Sequence, residues 1–411
     1  WSAHGGNFPG SFVVNVGFNK NIGWGATVNR PDILDIFELT INPDNANEYL
    51  LDTEWVPFVV EEDYLHIKLF RFLKIKSKQR FKYSKFGPVL EIQGKAFALR
   101  HATQNSFQEI DGWFALNQAD SVKAFESALS TRKIPSFNFV VMDSAQNIGF
   151  FYNGRIPNRD NAKAARDILQ GSSSQDIWPL NEPIHDLPTF INPLNGWIQS
   201  TNQNPYWVMG EYSSVLDPKS SHVYFEQRLT NRSFVANELL SPKTKITLDD
   251  FINIKFDHSY SKNSRQYKYL MRLAENNQEI ALKVEPWNRQ TNFKNRHAGF
   301  SSCLMAHEWL AEMNAQPIPK TKDILATCKD WFVEIDRKQT DEWGDITTIS
   351  RLERSYPIQG SLDTLRAVYG TPNSKTNSID MSGGDGLFYI CLLYTSPSPR
   401  DRTRSRMPSS A

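Results

Sequence analysis

Residues 17–37 contain the most informative pattern of this chain, Gly17-Phe18-Asn19-Lys20-Asn21-Ile22-Gly23-Trp24-Gly25-Ala26-Thr27-Val28-Asn29-Arg30-Pro31-Asp32-Ile33-Leu34-Asp35-Ile36-Phe37. A short strand is predicted to end just before Val28. Beyond it, Asp32 and Asp35 lie three residues apart, behind a proline and in a loop between strands. Two carboxylates at that spacing, with a backbone carbonyl between them, suit a hard cation such as calcium. An Asx-type turn at Pro31-Asp32 is the more common explanation of such spacing.

A second informative stretch is rich in amide side chains and reads Phe190-Ile191-Asn192-Pro193-Leu194-Asn195-Gly196-Trp197-Ile198-Gln199-Ser200-Thr201-Asn202-Gln203-Asn204-Pro205. It predicts a turn, a short strand and then a loop. A side-chain amide held at the end of a strand can donate a hydrogen bond to an oxyanion. An asparagine before a proline-containing turn is more often only a turn residue.

Composition excludes several classes of function. The chain has 411 residues and 47.2 kDa, enough for one large domain or two to three ordinary ones. Its 46 basic and 45 acidic residues give a formal charge of +1, so neither nucleic acid nor an anionic membrane is expected as the main partner. No stretch approaches the ~18 consecutive apolar residues of a membrane helix. The aromatic content of 12% is typical of proteins with apolar pockets.

Periodicity predicts strands mainly in the first half of the chain and helices in the second. Residues 12–18 alternate as a strand does, and residues 137–151 predict a hairpin. A basic stripe over residues 65–83 is interpreted as the solvated face of another hairpin, with binding of an anionic partner as the alternative. Helices are predicted over 266–276 and 302–315, and a capping box at Thr247-Leu248-Asp249-Asp250.

No self-contained catalytic motif occurs in the sequence. It lacks the G-x-S-x-G elbow, the H-E-x-x-H pair, the Walker loop and a dinucleotide fingerprint after a strand. The three cysteines, Cys303, Cys328 and Cys391, are too few for a disulfide framework or a zinc site. A Cys303–Cys328 bridge is conceivable, but buried thiols are the expectation.

The last residues differ in composition from the rest of the chain. Residues 391–411 include the low-complexity run Thr395-Ser396-Pro397-Ser398-Pro399-Arg400, which could not form a core. Residues 392–401 closely resemble a translated sequencing adapter, although a basic interaction tail is the functional alternative. We therefore treat 391–411 as non-native and 1–390 as one partial domain.

The two quoted stretches together resemble the penicillin acylase family, which includes acyl-homoserine-lactone acylases. Residues 17–37 are similar to its G-x-N-x-x-I-x-W-G-x-T stretch followed by D-x-x-D-I-F, and residues 190–205 to its N-P-x-x-G-x-I-x-x-x-N loop. Shorter similar stretches follow in the family's order, namely Phe86-Gly87-Pro88-Val89, Ala98-Leu99-Arg100, Asn147-Ile148-Gly149, Gly154-Arg155-Ile156-Pro157, Trp343-Gly344-Asp345 and Leu365-Arg366-Ala367-Val368-Tyr369-Gly370-Thr371. The resemblance covers residues 8–390.

The resemblance implies an α+β fold, the four-layer αββα sandwich of N-terminal nucleophile hydrolases, with helical insertions. It also implies hydrolysis of a linear amide by the serine that begins the large chain after autoproteolysis, with its own α-amine as general base. By motif, the oxyanion is held by the backbone N–H of Val28 and the side chain of Asn202. Arg228 matches a family arginine near the site and is expected to orient Asn202.

The resemblance further implies a structural calcium ion and a second chain. Asp32, the Leu34 carbonyl and Asp35 match the family's calcium site, which ties the large chain to the small chain of the same precursor. The expected substrate is a small acylated amine, such as an acylated β-lactam nucleus, an acyl-homoserine lactone or a lipopeptide. The expected location is the periplasm or the exterior of the cell.

Two departures from the family qualify these expectations. Residue 1 is Trp where the family's large chain begins with serine, and Phe86 stands where the family often has His. Ser2 is preceded by Trp1 and is not a plausible replacement nucleophile. We expect a chain truncated at both ends, without its nucleophile and inactive by itself. The alternative is a catalytically degenerate protein that keeps the fold and a binding pocket.

Overall fold

The structure, a computed structural model, describes residues 2–70, 74–104, 106–159, 167–210, 225, 228–243 and 245–384. The tail predicted to be non-native, 391–411, lies outside these residues. Within them, no helix combines the length and the apolar character that crossing a bilayer requires.

Strands occupy most of the regular structure before α3, as predicted. In chain order the described strands are β1 (Ala3–Gly6), β2 (Val16–Asn19), β3 (Ile22–Thr27), β4 (Leu34–Leu39), β5 (Ile41–Asn42), β6 (Asn45–Leu51), β7 (Glu54–Pro57), β8 (Val59–Lys68), β9 (Lys74–Tyr83), β10 (Pro88–Ile92), β11 (Lys95–His101), β12 (Ser136–Asp143), β13 (Ile148–Gly154), β14 (Leu169–Gln170), β15 (Thr189–Ile191), β16 (Thr347–Arg351), β17 (Arg354–Pro357), β18 (Val368–Asn373) and β19 (Ser378–Gly384). The two predicted hairpins are confirmed as β8–β9 and β12–β13. The β8–β9 hairpin is largely exposed, which agrees with a solvated basic face.

Helices are concentrated in the second half. The described α-helices are α1 (Glu109–Gln118), α2 (Val122–Ser130), α3 (Asn231–Leu240), α4 (Leu248–Lys255), α5 (Arg265–Glu275), α6 (Gln278–Val284), α7 (Ala298–Met313), α8 (Thr321–Glu334) and α9 (Trp343–Ile346). The capping box at the start of α4 is confirmed. The Thr247 hydroxyl accepts from the Asp250 N–H at 3.1 Å, and the Asp250 carboxylate accepts from the Thr247 N–H at 3.0 Å.

The first large sheet positions the end of β3. Its order is β1-β2-β3-β12-β13-β15, and each neighbouring pair is antiparallel. Helices α1 and α2 cover one face, where Trp113 and Phe125 each meet Phe139 edge-on with ring centroids 5.5 Å apart. Strand β3 lies between β2 and β12 in this packed sheet. Its neighbours therefore fix the position of Val28, the residue that directly follows it.

The second large sheet has the order β14-β4-β11-β10-β9-β8. Phe86, where the resemblance suggests a histidine, is fully buried here with its ring centroid 4.5 Å from that of Phe37. This position therefore serves the core. The chain passes from the first sheet to the second between β3 and β4. The α+β class is confirmed, while the four-layer stacking of these sheets stays a prediction.

Helices α5 to α8 share a core with the four-stranded sheet β17-β16-β19-β18. In this core Cys303 on α7 and Cys328 on α8 form a disulfide, with their Cα atoms 5.8 Å apart. The expectation of free thiols is wrong, because the packing of α7 on α8 brings two buried cysteines within bridging distance. The sulfur atoms of both cysteines lie close to the ring of His307, and in the structure these two sulfurs are bonded to each other.

Candidate active site

The structure brings two of the predicted site residues together. Val28, directly after β3, is 60% exposed, and its carbonyl accepts a 2.7 Å hydrogen bond from the Asn202 side-chain amide. A second hydrogen bond of 2.7 Å joins the hydroxyl of Thr27, the residue before Val28, to the hydroxyl of Ser200, two residues before Asn202. Two points of contact therefore hold the amide-rich loop against the end of β3, although the loop is 173 residues away in sequence.

The backbone at Asn202 has a conformation that asparagine tolerates better than most residues. Its φ is 63°, in the left-handed region. The residues on either side are buried and bonded to each other, since the Gln203 side-chain carbonyl accepts from the Thr201 N–H at 2.6 Å. The Thr201 hydroxyl also lies 3.2 Å from the Thr230 hydroxyl, just before α3. This bracing fixes the loop on both sides of the exposed amide.

A guanidinium determines which way the Asn202 amide faces. Arg232 donates to the Asn202 side-chain oxygen at 3.0 Å. Because a guanidinium has donors and no acceptor, it must face the oxygen, and the amide NH₂ is turned toward Val28 and the cavity. Arg232 is itself held by Asp363, whose carboxylate lies 2.9 Å from the arginine Nε.

Asp363 is a buried carboxylate that holds Arg232 in place. It is 5% exposed, and besides Arg232 it accepts from the Asn231 N–H at 2.6 Å and from the Gln266 side chain at 2.8 Å. Asn231 is the first residue of α3, so the carboxylate also lies at the positive end of a helix. The chain of contacts Asp363–Arg232–Asn202 therefore runs from the core to the cavity.

Arg228 lies in the same cavity but has different partners. Its Nη1 is 2.8 Å from a Glu312 carboxylate oxygen at the C-terminal end of α7. Glu312 also lies 3.6 Å from Arg265. The structure thus gives the contact with Asn202 to Arg232 and places Arg228 in an ion-pair network with Glu312 and Arg265.

These residues surround one cavity of about 300 Å³. Its polar lining includes four arginines and two carboxylates, and its apolar lining is formed by a smaller set of side chains, Val28, Leu229, Trp309, Met313 and Tyr369. Behind it, Glu308 is buried against Arg265; burial raises the pKa of Glu308, and the arginine opposes that rise. A cavity with amide and guanidinium donors on one wall and rings on another is suited to a substrate with a polar head and an apolar portion.

The predicted calcium ligands have a protein cation between them. Asp32 and Asp35 both contact the guanidinium of Arg159, at 3.2 Å and 2.9 Å. Leu34, the first residue of β4, pairs with His101 in the second sheet. Calcium requires six to eight oxygen ligands at about 2.3–2.6 Å, and a guanidinium donates where that ion would accept. The contacts described here therefore do not fit a calcium ion in the same place.

Comparison with known proteins places this arrangement in a family. The penicillin amidase family model matches residues 1–385. The chain belongs to the penicillin amidase family. Members of this family are acylases that hydrolyse non-peptide amide bonds, so the cavity at Asn202 belongs to a fold used for amide cleavage.

The family's curated members include acyl-homoserine lactone acylases of pseudomonads. PvdQ of Pseudomonas syringae pv. tomato is 30% identical over an alignment of 196 positions that covers 43% of this chain and 25% of that protein. PvdQ of Pseudomonas fluorescens (strain Pf0-1) is 20% identical over an alignment of 421 positions, gaps included, that covers 88% of this chain and 53% of that protein. This penicillin amidase family chain therefore spans only part of the length of the relatives it matches.

A solved structure shows the same fold. The thermostable penicillin G acylase from Alcaligenes faecalis aligns with a TM-score of 0.56 at 18% identity, over 74% of this chain and 56% of that one. At this identity the likeness concerns the fold alone, that of N-terminal nucleophile hydrolases.

Sequence reasoning missed two arginines in this penicillin amidase family chain. Arg232 lies in the first turn of α3, four residues after the arginine that motif matching selected. Arg159 follows β13 and is 124 residues from the nearer of its two carboxylates. A search for arginines close to the matched motifs would have found Arg232, because it shares a short segment with Arg228. Arg159 lies two residues after the matched stretch that ends at Pro157, but nothing in that stretch relates it to Asp32 and Asp35.

Proposed function

We propose that the protein containing this chain is an acylase that cleaves the linear amide of an acylated amine. The observation that supports this most is the meeting of Val28, Asn202 and Arg232 at one wall of the cavity. An amide whose orientation is set by a partly buried ion pair is a preorganised donor, the kind of group that stabilises an oxyanion. A protein that only binds a ligand by shape does not need that preorganisation.

In the proposed reaction, a serine hydroxyl attacks the carbonyl carbon of the substrate amide, and the α-amine of the same serine accepts the proton. The carbonyl oxygen becomes an oxyanion that accepts hydrogen bonds from the Val28 N–H and the Asn202 NH₂. Because the amide NH₂ has two donors, Asn202 can keep its bond to the Val28 carbonyl and still reach the oxyanion. When the intermediate collapses, the carbon–nitrogen bond breaks, the protonated α-amine returns its proton to the leaving nitrogen and the amine is released. Water then hydrolyses the acyl-serine ester to the carboxylic acid and the free serine.

We propose that the nucleophile is a serine outside these 411 residues, as the family resemblance implies. The described cavity lining contains Thr230 and Tyr369 but neither serine nor cysteine. The Thr230 hydroxyl accepts from the Ser233 N–H at 3.1 Å and caps α3. Its structural role makes it a poor nucleophile. The 411-residue chain is accordingly expected to show no amidase turnover by itself.

The substrates that we propose are small acylated amines, namely an acylated β-lactam nucleus, an acyl-homoserine lactone or a lipopeptide. The names of the curated relatives favour the lactone. The small chain of the same precursor is the proposed partner, and the periplasm or the cell exterior the proposed location.

The test uses the complete precursor, expressed from its gene, with Asn202→Ala. We expect kcat to fall ~100- to 1,000-fold on a chromogenic acyl amide and on an acyl-homoserine lactone, because one oxyanion donor is removed. Asn195→Ala is the matched control, since Asn195 lies in the same loop but its amide donates to the Met209 carbonyl. Full activity of Asn202→Ala would refute the proposed role, and turnover by the 411-residue chain that depends on Asn202 would refute the assignment of the nucleophile.

A further inference from the structure

We propose that the guanidinium of Arg159 is a built-in replacement for the divalent cation at Asp32 and Asp35, so that this chain is stabilised at that position without calcium. This inference is independent of the catalytic role proposed for Asn202. It concerns the connection between β3 and β4, where the chain crosses from one large sheet to the other.

The geometry of Arg159 uses each of its nitrogens. Nε donates to the Asp35 carboxylate at 2.9 Å, and Nη2 donates to its other oxygen at 3.3 Å. Nη2 also donates to the Asp32 carboxylate at 3.2 Å, and Nη1 to the Asp32 backbone carbonyl at 3.2 Å. Two carboxylates and one main-chain carbonyl are the kinds of oxygen that calcium prefers, and here the guanidinium binds them.

Burial shows that this is a permanent structural contact. Arg159 is 3% exposed and Asp35 is 2% exposed. Trp178 completes the shell of Asp35, because its indole N–H donates to the same carboxylate at 2.6 Å. A buried arginine is stable only with such paired and hydrogen-bonded partners, so the guanidinium could not leave to admit a metal ion at low cost.

A second guanidinium lies close to Asp35. Arg100 on β11 lies opposite Asp35 on β4, and its Nε donates to the Trp178 carbonyl at 2.8 Å. Burial lowers the pKa of Arg100, and the negative charge of Asp35 opposes that fall. Among the described residues, two guanidiniums therefore act on Asp35, and both would repel a divalent ion placed beside it.

The contacts of Arg159 also show which parts of the chain a cation at this position connects. Arg159 follows β13 of the first sheet, whereas Asp35 belongs to β4 of the second. Asp32 lies in the connection between β3 and β4. One side chain thus pins the second sheet and the crossing segment to the end of the first sheet.

The test begins with the unmodified protein. Calcium titration by calorimetry and thermal unfolding in EDTA or in millimolar calcium are measured on the complete precursor. We expect no stoichiometric calcium binding that involves Asp35 and the same melting temperature in both solutions. Calcium binding that Asp35→Asn abolishes, with Arg159 in place, would overturn the proposal, as would a drop in melting temperature in EDTA that Asp35→Asn removes.

A second set of variants creates the missing metal site. Arg159→Ala leaves two buried carboxylates without their cation, so we expect a lower melting temperature that calcium partly restores. In the double variant Arg159→Ala/Asp35→Asn the restoration by calcium should disappear, and in Arg159→Lys, which keeps the charge, calcium should have little effect. An Arg159→Ala protein as stable as the wild type in EDTA would contradict the structural role. If Arg159→Ala does not fold, the measurements on the unmodified protein still decide the question.

Discussion

The structure assigns the orientation of the Asn202 amide to Arg232, and Arg232→Lys separates this role from general stability. A lysine at this position keeps a positive charge for Asp363 but is a point charge without the planar fork that reaches both Asp363 and Asn202. A complete oxyanion donor is worth ~3–4 kcal/mol, or ~100- to 1,000-fold in kcat. Since the bond from Asn202 to the Val28 carbonyl remains, part of the orientation is kept, and we expect a fall of ~10- to 100-fold in kcat.

The stability of the same variant should change less than its activity. Arg232 is partly exposed and its Asp363 partner is 2% exposed at the side chain, so removal of the charge would leave a buried carboxylate uncompensated. Lysine avoids that cost, and its expected loss is within ~1–2 kcal/mol. The assay measures kcat and KM on the complete precursor together with urea unfolding. Arg296→Lys is the matched control, because it changes an exposed arginine paired with Glu342 at 3.0 Å.

Two results would refute this reasoning. If Arg232→Lys kept full kcat while Asn202→Ala lost activity, the amide would hold its own orientation and Arg232 would be only a structural residue. Urea unfolding gives the fraction of the variant that is folded under the assay conditions. If kcat fell only by that fraction, the substitution would act on stability and not on positioning. A fall in kcat with KM nearly unchanged and the fold intact is the outcome that the contacts predict.

Two further predictions concern the scaffold. Burial opposes ionisation of Asp143, but donors from Val122, Asn147 and Ala145 outweigh it and lower its pKa below the ordinary value. Asp143→Asn should therefore cost ~1–3 kcal/mol in urea unfolding at neutral pH, and the difference should shrink as pH falls through the lowered pKa, because the wild-type carboxylate then becomes protonated; a loss independent of pH would contradict it. Gly87→Ala should lower the melting temperature clearly more than Gly94→Ala. Both glycines have positive φ, but only at Gly87 would a Cβ lie 2.0 Å from the Leu99 carbonyl oxygen, whereas at Gly94 it would meet no atom within 4 Å. Equal decreases in melting temperature for the two variants would contradict the clash.

The sequence predicted correctly those elements that depend on residues close together in the chain. The capping box at Thr247 depends on four consecutive residues, and the β12–β13 hairpin on two apolar runs and the polar turn between them. The strand predicted over residues 12–18 is shorter, since β2 begins at Val16. Val14 instead donates to and accepts from the Asn117 side chain, both at 2.8 Å. An amide from α1 thus takes the place of a neighbouring strand, which alternation alone cannot reveal.

The active-site residues show the same limit at a finer scale. The motifs selected Val28 and Asn202, and the structure places them in contact. They also selected Arg228 by its match to a family arginine, whereas Arg232 lies four residues later, in the first turn of α3. Arg228 precedes the helix and pairs with α7, whereas Arg232 in the first turn reaches Asn202. Which of two nearby arginines meets an amide depends on helix geometry that spacing does not specify.

Asp32 and Asp35 show why ligand spacing does not by itself identify a cation. Two carboxylates near a carbonyl are equally suited to calcium or to an arginine fork. We propose that Arg159 decides between them here, because its guanidinium contacts both carboxylates. Arg100 lies opposite Asp35 within the second sheet, whereas Arg159 comes from the segment after β13 in the first sheet. A prediction of metal binding from ligand spacing therefore needs the positive charges that fold against the ligands.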